Sequence, residues 1–272
     1  MSGPEDSLRP RGRRTDTAAM TPIAAVEAYA LRKSFPTPGG EPIEILHGVS
    51  CAIGAGEMTA LVGSSGSGKS TAAQLLLRYD ELTGGDILID GTSVREYTLD
   101  SLRRAVVLVP QRGQVLDATI AENLRDADPQ ASDERLWHAI GVAQADFVRE
   151  LPDGLDAPVA QGGTNFSGGQ RQRLAIARAL VRRADLYIFD DSFSALDYRT
   201  DAALRHALSH ELAGAAVLII AQRVSTIREA AQIVVLKEGR IVGVGTHEML
   251  MEDCEDYRSI VESQERGGTL DG

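Results

Sequence analysis

This chain is short of sulfur, of long apolar runs and of positive charge. Two cysteines, Cys51 and Cys254, lie far apart in the sequence and form neither a CxxC nor a metal-ligand spacing. A disulfide framework and a thiolate zinc site are therefore set aside, and the thiols read as idle groups in a reducing compartment. The longest apolar run, which contains AGAAVLIIA at 213–221, is well below the ~20 residues a membrane helix needs. Residues 1–20, MSGPEDSLRPRGRRTDTAAM, mix charge and proline with no apolar centre, so they read as a disordered polar tail and not as a leader. The tail's four arginines are expected to be solvated more than bound to lipid. Acids outnumber bases 39 to 28, for a net charge of −11, which argues against a nucleic-acid binder, whose footprint is basic. No internal repeat is visible. At 272 residues and 43% hydrophobic, the chain is long enough to bury one sizeable two-lobed core.

What is present concentrates in three segments. GSSGSGKST at 63–71 fits a phosphate-binding loop, with Gly63, Ser64, Ser65, Gly66, Ser67 and Gly68 leading to Lys69, Ser70 and Thr71. It sits between a short apolar strand, MTALV (58–62), and a run of helix formers, TAAQLLLRY (71–79). In that setting the glycines let the backbone wrap phosphates, Lys69 reaches the β- and γ-phosphates, and Ser70 offers its hydroxyl to Mg²⁺. FSGGQRQR at 166–173 opens a helix with Ser167, Gly168, Gly169 and Gln170, whose free N–H groups and helix dipole suit an anion. A second buried strand, ADLYIFDD at 184–191, ends in Asp190 and Asp191, placed to hold Mg²⁺ through water and to polarise an attacking water.

Together these segments resemble the nucleotide-binding domain of ATP-binding cassette (ABC) transporters, over about 23–263. The resemblance implies that Phe35 stacks on adenine, that Gln111 in VLVPQ is the Q-loop glutamine and a metal contact, and that Ser194–Asp197 form the D-loop, with Asp197 at the nucleotide interface. LIDGTSVREYTLDSLRRAVVLVPQ and DATIAENL resemble the exporter branch. The implied fold is α/β: a RecA-like P-loop core, an inserted helical subdomain at about 112–174 and an antiparallel β subdomain. Polar tails are expected at 1–22 and 264–272. Within 131–151, ASDERLWHAIGVAQADFVREL reads as the main amphipathic helical run, with Trp137 as a core residue.

Three positions depart from the family pattern: Asp191 replaces the catalytic Glu, Gln222 replaces the switch His, and AQGG (160–163) replaces the exporter's Gly-Glu-Arg-Gly run. Asp is one methylene shorter than Glu, and misplacement by ~1 Å costs ~10²-fold in rate. Gln222 still donates one hydrogen bond but relays no proton. The catalytic set is then Lys69, Gln111, Asp191 and Gln222, in a weakened site. The resemblance further implies ATP and Mg²⁺ sandwiched head to tail between two nucleotide-binding domains, a non-identical partner, and a separate membrane domain at the cytoplasmic face. That membrane domain would be engaged near 112–119 and 159–164. A regulatory ATP-binding module without turnover, and a soluble ABC ATPase unrelated to transport, are the alternatives.

Overall fold

A computed structural model describes residues 24–221 and 223–268. The tail expected at 1–22 and the switch residue Gln222 lie outside the described residues.

Long apolar strands with few polar interruptions build the centre. β3 (Met58–Val62), β9 (Leu186–Asp190), β10 (Ala216–Ile220), β11 (Gln232–Lys237) and β6 (Val106–Val109) lie parallel, and β12 (Arg240–Gly245) closes one edge antiparallel to β11, in the order β12-β11-β3-β10-β9-β6. Every residue of β10 is buried, as expected of a central parallel strand covered on both faces. Alternate side chains serve opposite layers. Tyr187, Phe189, Val217 and Ile219 join the core under the helices, whereas Leu186, Ile188, Leu218 and Ile220 join the core beneath a second sheet. Each such large apolar side chain contributes roughly 1.5–3 kcal/mol on full burial.

The second sheet is the antiparallel one, β2-β1-β4-β5, formed by β1 (Ala24–Phe35), β2 (Ile43–Gly54), β4 (Gly84–Ile89) and β5 (Thr92–Ser93). β2 is long because Ile43–Val49 pairs with the second half of β1. Against the sheets pack α1 (Lys69–Leu76), α2 (Leu99–Ala105), α6 (Tyr198–Glu211), a short α7 (Val224–Ile227), α8 (His247–Asp253) and α9 (Glu255–Gly268). α9 runs past the boundary expected at 263, so the supposed flexible tail begins as helix.

The helical lobe holds α3 (Ile120–Arg125), α4 (Asp133–Val142) and α5 (Gly168–Val181), with the small ladder of β7 (Ala118–Thr119) and β8 (Pro158–Val159). α5 carries it beyond 174. The amphipathic run expected as one helix over 131–151 is two pieces, α4 and a 3-10 turn at Asp146–Glu150. Gln144 takes φ 55° and the Ala145 N–H reaches back to the Ile140 carbonyl, a Schellman-type stop that turns Val148 into the core. Trp137 packs partly buried on that core, with Arg149 over its ring at 4.6 Å. Among the described residues, no helix is long and apolar enough to cross a membrane.

Candidate active site

The parallel sheet aligns two carboxyl ends. Ile220 of β10 pairs with Leu61 of β3 on one side and with Asp190 of β9 on the other. The loop after β3 and the acids after β9 therefore emerge side by side, at the strand edge where open α/β sheets place their ligands. The glycine pattern of the loop has steric causes. Gly63 has φ 155°, and a Cβ there would stand 2.1 Å from the Leu236 carbonyl oxygen. Gly68, with φ 102°, ends the loop as the N-cap of α1, and a Cβ there would meet Leu46 at 2.7 Å. Larger residues would push the loop off β11 and β2.

A cavity of about 360 Å³ opens at this point, lined by the loop from Ser65 to Thr71 and by Phe35, Ile45, Gln111, Asp190, Asp191 and Ile220. Phe35 arrives from the end of β1, and the Lys33 ammonium lies 4.6 Å from its ring centre while bonded to Asp80 at 2.9 Å. Lys69 is 9% exposed, and its Nζ donates to the carbonyls of Gly63 (2.8 Å) and Ser64 (2.9 Å) and to Ser67 Oγ (3.3 Å). Phosphate oxygens would compete with these neutral acceptors and win on charge. Burial lowers the Lys69 pKa, opposed by the nearby charges of Asp190 and Asp191. Asp190 is raised, chiefly by burial and then by Asp191, against the pull of Lys69 and a Ser70 hydrogen bond. A cation entering there would favour the charged carboxylate and offset both effects.

Asp191 is 7% exposed with φ 47°, its N–H donating to the Ile220 carbonyl at 2.7 Å. Its Oδ2 accepts from Gln111 Nε2 at 2.7 Å. The resemblance implies a metal contact for Gln111, and the structure sets its amide nitrogen on the acid beside that position. The donor set of Ser70 hydroxyl, Asp190 carboxylate and Gln111 amide oxygen is all hard oxygen, which suits Mg²⁺ completed by phosphates and water. Among the described residues no group of three or more His, Cys, Asp or Glu could hold a metal ion.

Other predicted residues lie elsewhere. Gly63 and Ser64 line a neighbouring cavity that shares Ser65 and Lys69 with the first. Ser167, Gly168, Gly169 and Gln170 do not line the 360 Å³ cavity. They start α5 on the surface, with Ser167 and Gly168 exposed and a capping box in place: Gln170 N–H donates to Ser167 Oγ (3.2 Å), and Ser167 N–H to Gln170 Oε1 (2.9 Å). A Cβ at Gly168 would meet nothing within 4 Å. Asp197 caps α6, its carboxylate accepting from Thr200 N and Oγ1, and those bonds hold its pKa low.

Sequence reasoning passed over the residues that tie these parts together. Gln172, 1% exposed on α5, donates to the Pro110 carbonyl at 3.0 Å, immediately before Gln111. Arg178 donates to the Gln114 carbonyl at 2.8 Å, and Ser192 Oγ donates to the Val109 carbonyl at 2.7 Å. The strand–loop segment 109–114 is thus pinned to the second acidic turn at one end and to α5 along its length. The one signal available was a glutamine on the apolar side of a helix.

A family model described as ABC transporter matches residues 46–194, which include the loop, both acids and the start of α5. An uncharacterized ABC transporter ATP-binding protein of Mycobacterium tuberculosis is 45% identical over 243 residues, covering 88% of this chain and 41% of that protein. The ATP-dependent lipid A-core flippase of Escherichia coli is 42% identical over 233 residues, covering 85% and 40% respectively. In three dimensions, a bacterial Atm1-family ABC exporter with ATP bound superposes with a TM-score of 0.82 at 37% identity, covering 88% of this chain and 42% of that one. This chain spans about two fifths of the length of these relatives. Since the matched segment holds the wrapped loop, the paired acids and the capped surface helix in the arrangement just described, the chain belongs to the ABC transporter family and is its ATP-binding domain, close to the exporter type.

Proposed function

We propose that this domain binds MgATP in the 360 Å³ cavity and hydrolyses it, as one half of a head-to-tail pair, to drive export by a membrane domain at the cytoplasmic face of the membrane. The observation that carries the reading is the separation of two half-sites on one chain: the phosphate loop and acids line one cavity, while the exposed N-terminus of α5 lines none of it. A nucleotide held by Lys69 is then completed by residues 167–170 of a second domain. Phe35 stacks on the base, the loop amides and Lys69 bind the phosphates, and Asp191 orients the attacking water. Ser70, Asp190 and Gln111 would hold Mg²⁺, which supplies charge neutralisation on the phosphates.

A groove of about 540 Å³ between the lobes, lined by Tyr79, Arg103, Pro110, Gln114 and Arg178 among others, is the seat we assign to the membrane domain; of the residues expected at 112–119 and 159–164, only Gln114 lines it. It touches the same 109–114 segment that leads to Gln111, and the largely exposed Tyr79 stands at it. Movement there is transmitted to the nucleotide by covalent continuity.

The shortened acid and the lost His make this a weakened hydrolytic site, paired with a non-identical domain that carries Glu and His. One observation favours the stronger version, a regulatory module without turnover: Asp191 is nearly buried and its carboxylate is engaged by Gln111. Steady-state phosphate release separates the two.

The binding reading is tested by Lys69→Ala. By calorimetric titration with MgATP, affinity is expected to fall by an order of magnitude or more, because the loop's one charged donor to the phosphates is gone. Unchanged affinity would remove the phosphate-loop assignment.

A further inference from the structure

The short helix α7 follows directly on residue 222, and it begins without a local cap. Its N-cap is Arg223, a side chain with donors only, and no side-chain bond from Arg223 caps the helix. The first helical amide is satisfied from elsewhere: Val224 N–H donates to Gln264 Oε1 at 2.6 Å, from the last turns of α9, forty residues on. Arg223 turns the other way. Its guanidinium donates to the carbonyls of Ser194 (2.9 Å) and Leu196 (3.3 Å), and Ser194 Oγ in turn donates to the carbonyl of Asp191 at 2.8 Å. The segment after residue 222 is therefore gripped on one side by α9 and on the other by the turn that follows the catalytic acid.

α9 is firmly seated for this task. Tyr257 is fully buried with its hydroxyl on His247 Nδ1 at 2.8 Å, Val261 is 4% exposed, and Lys237 pairs with Asp256 at 2.6 Å. Gln264 also lines a cavity of about 500 Å³, together with Ser64, Ser65 and Lys69. α9 lies outside the segment 46–194 that the family model matches.

We propose that Gln264 is a positioning residue for the hydrolytic site: it holds the segment 223–228 in register between α9, the phosphate loop and the 194–197 turn. The proposal rests on the ATPase reading above for its effect on rate, and on the Gln264–Val224 bond for its effect on the segment. The test uses the full 272-residue chain with Gln264→Leu, which keeps bulk and removes the acceptor, and Gln264→Glu, which keeps an acceptor oxygen.

In Gln264→Leu, hydrogen–deuterium exchange over 223–228 is expected to quicken about fivefold, the equivalent of one ordinary hydrogen bond, while exchange in α1 stays as in the parent. MgATP affinity should hold within about twofold, and phosphate release at saturating ATP should drop about five- to tenfold, as for a misplaced group. Gln264→Glu should restore both the protection and the rate. Unchanged exchange in Gln264→Leu, a Glu variant as impaired as the Leu variant, or affinity falling in step with rate would each overturn the proposal. A parent chain that binds MgATP and releases no phosphate would sink the hydrolytic reading instead, and the exchange arm would still decide whether Gln264 holds the segment.

Discussion

Asp191→Glu combined with Gln222→His is expected to raise phosphate release by the chain about 10²-fold, and by more than either change alone. The size follows from reach: an acid short by one methylene stands ~1 Å or more from its best position, and such a misplacement costs about that factor, near 2.7 kcal/mol of barrier. The two residues act on one transition state, so their effects are not additive. The backbone at position 191 sharpens the expectation. Its φ of 47° lies in the left-handed region, which Asp visits more readily than Glu. Asp191→Glu should therefore gain rate while losing some stability, lowering Tm by about 2–4 °C for each kcal/mol of strain. The added methylene must also displace or lengthen the 2.7 Å bond from Gln111. Phosphate release and thermal melting of the parent, both single variants and the double variant check this together. A parent that already turns over at ~10 s⁻¹, with no gain in the double variant, would end the idea of a weakened site.

In a co-purified pair with the non-identical partner proposed above, a bulky residue at Gly168 is expected to suppress hydrolysis about 10²-fold, the usual cost of removing an oriented donor from the transferring phosphate. Gly168 is the cleaner of the two signature positions to alter. A Cβ there meets nothing within 4 Å in this chain, so any loss arises across the interface. Ser167→Ala should act in the same direction but also removes the acceptor for Gln170 N–H, a cap worth ~0.5–2 kcal/mol to α5. Lys69→Ala should lower the pair's activity less, because in the proposed arrangement it disables the site that contributes least. ATPase activity of the pair with each variant in turn separates these outcomes. Equal losses from Gly168 and Lys69 variants, or a fully active homodimer, would count against the asymmetric arrangement.

The nucleotide-binding identity was readable because its determinants are local. A wrapped phosphate loop needs Gly63 and Gly68 where the backbone has φ of 155° and 102° against neighbouring atoms, and no other residue type satisfies that. A buried parallel strand needs an unbroken apolar run, as in AVLII of β10, and the caps at Ser167 and Asp197 lie within three residues of the amides they satisfy. Local signals also misled. The run at 131–151 has helical periodicity throughout, yet the gain from burying Val148 turns the chain at Gln144.

What the sequence by itself determined is which short segments carry phosphate chemistry, since these follow from sterics and hydrogen bonding between residues a few positions apart, and, through the family those segments resemble, the α/β class. Only the tertiary structure decided how those segments are joined. Gln111 meets Asp191, Gln172 holds Pro110 and Gln264 holds Val224 across separations of 80, 62 and 40 residues. A polar side chain reads the same in sequence whether it ends in water or on a distant carbonyl. Only the packing of both lobes and α9 around one sheet settles which.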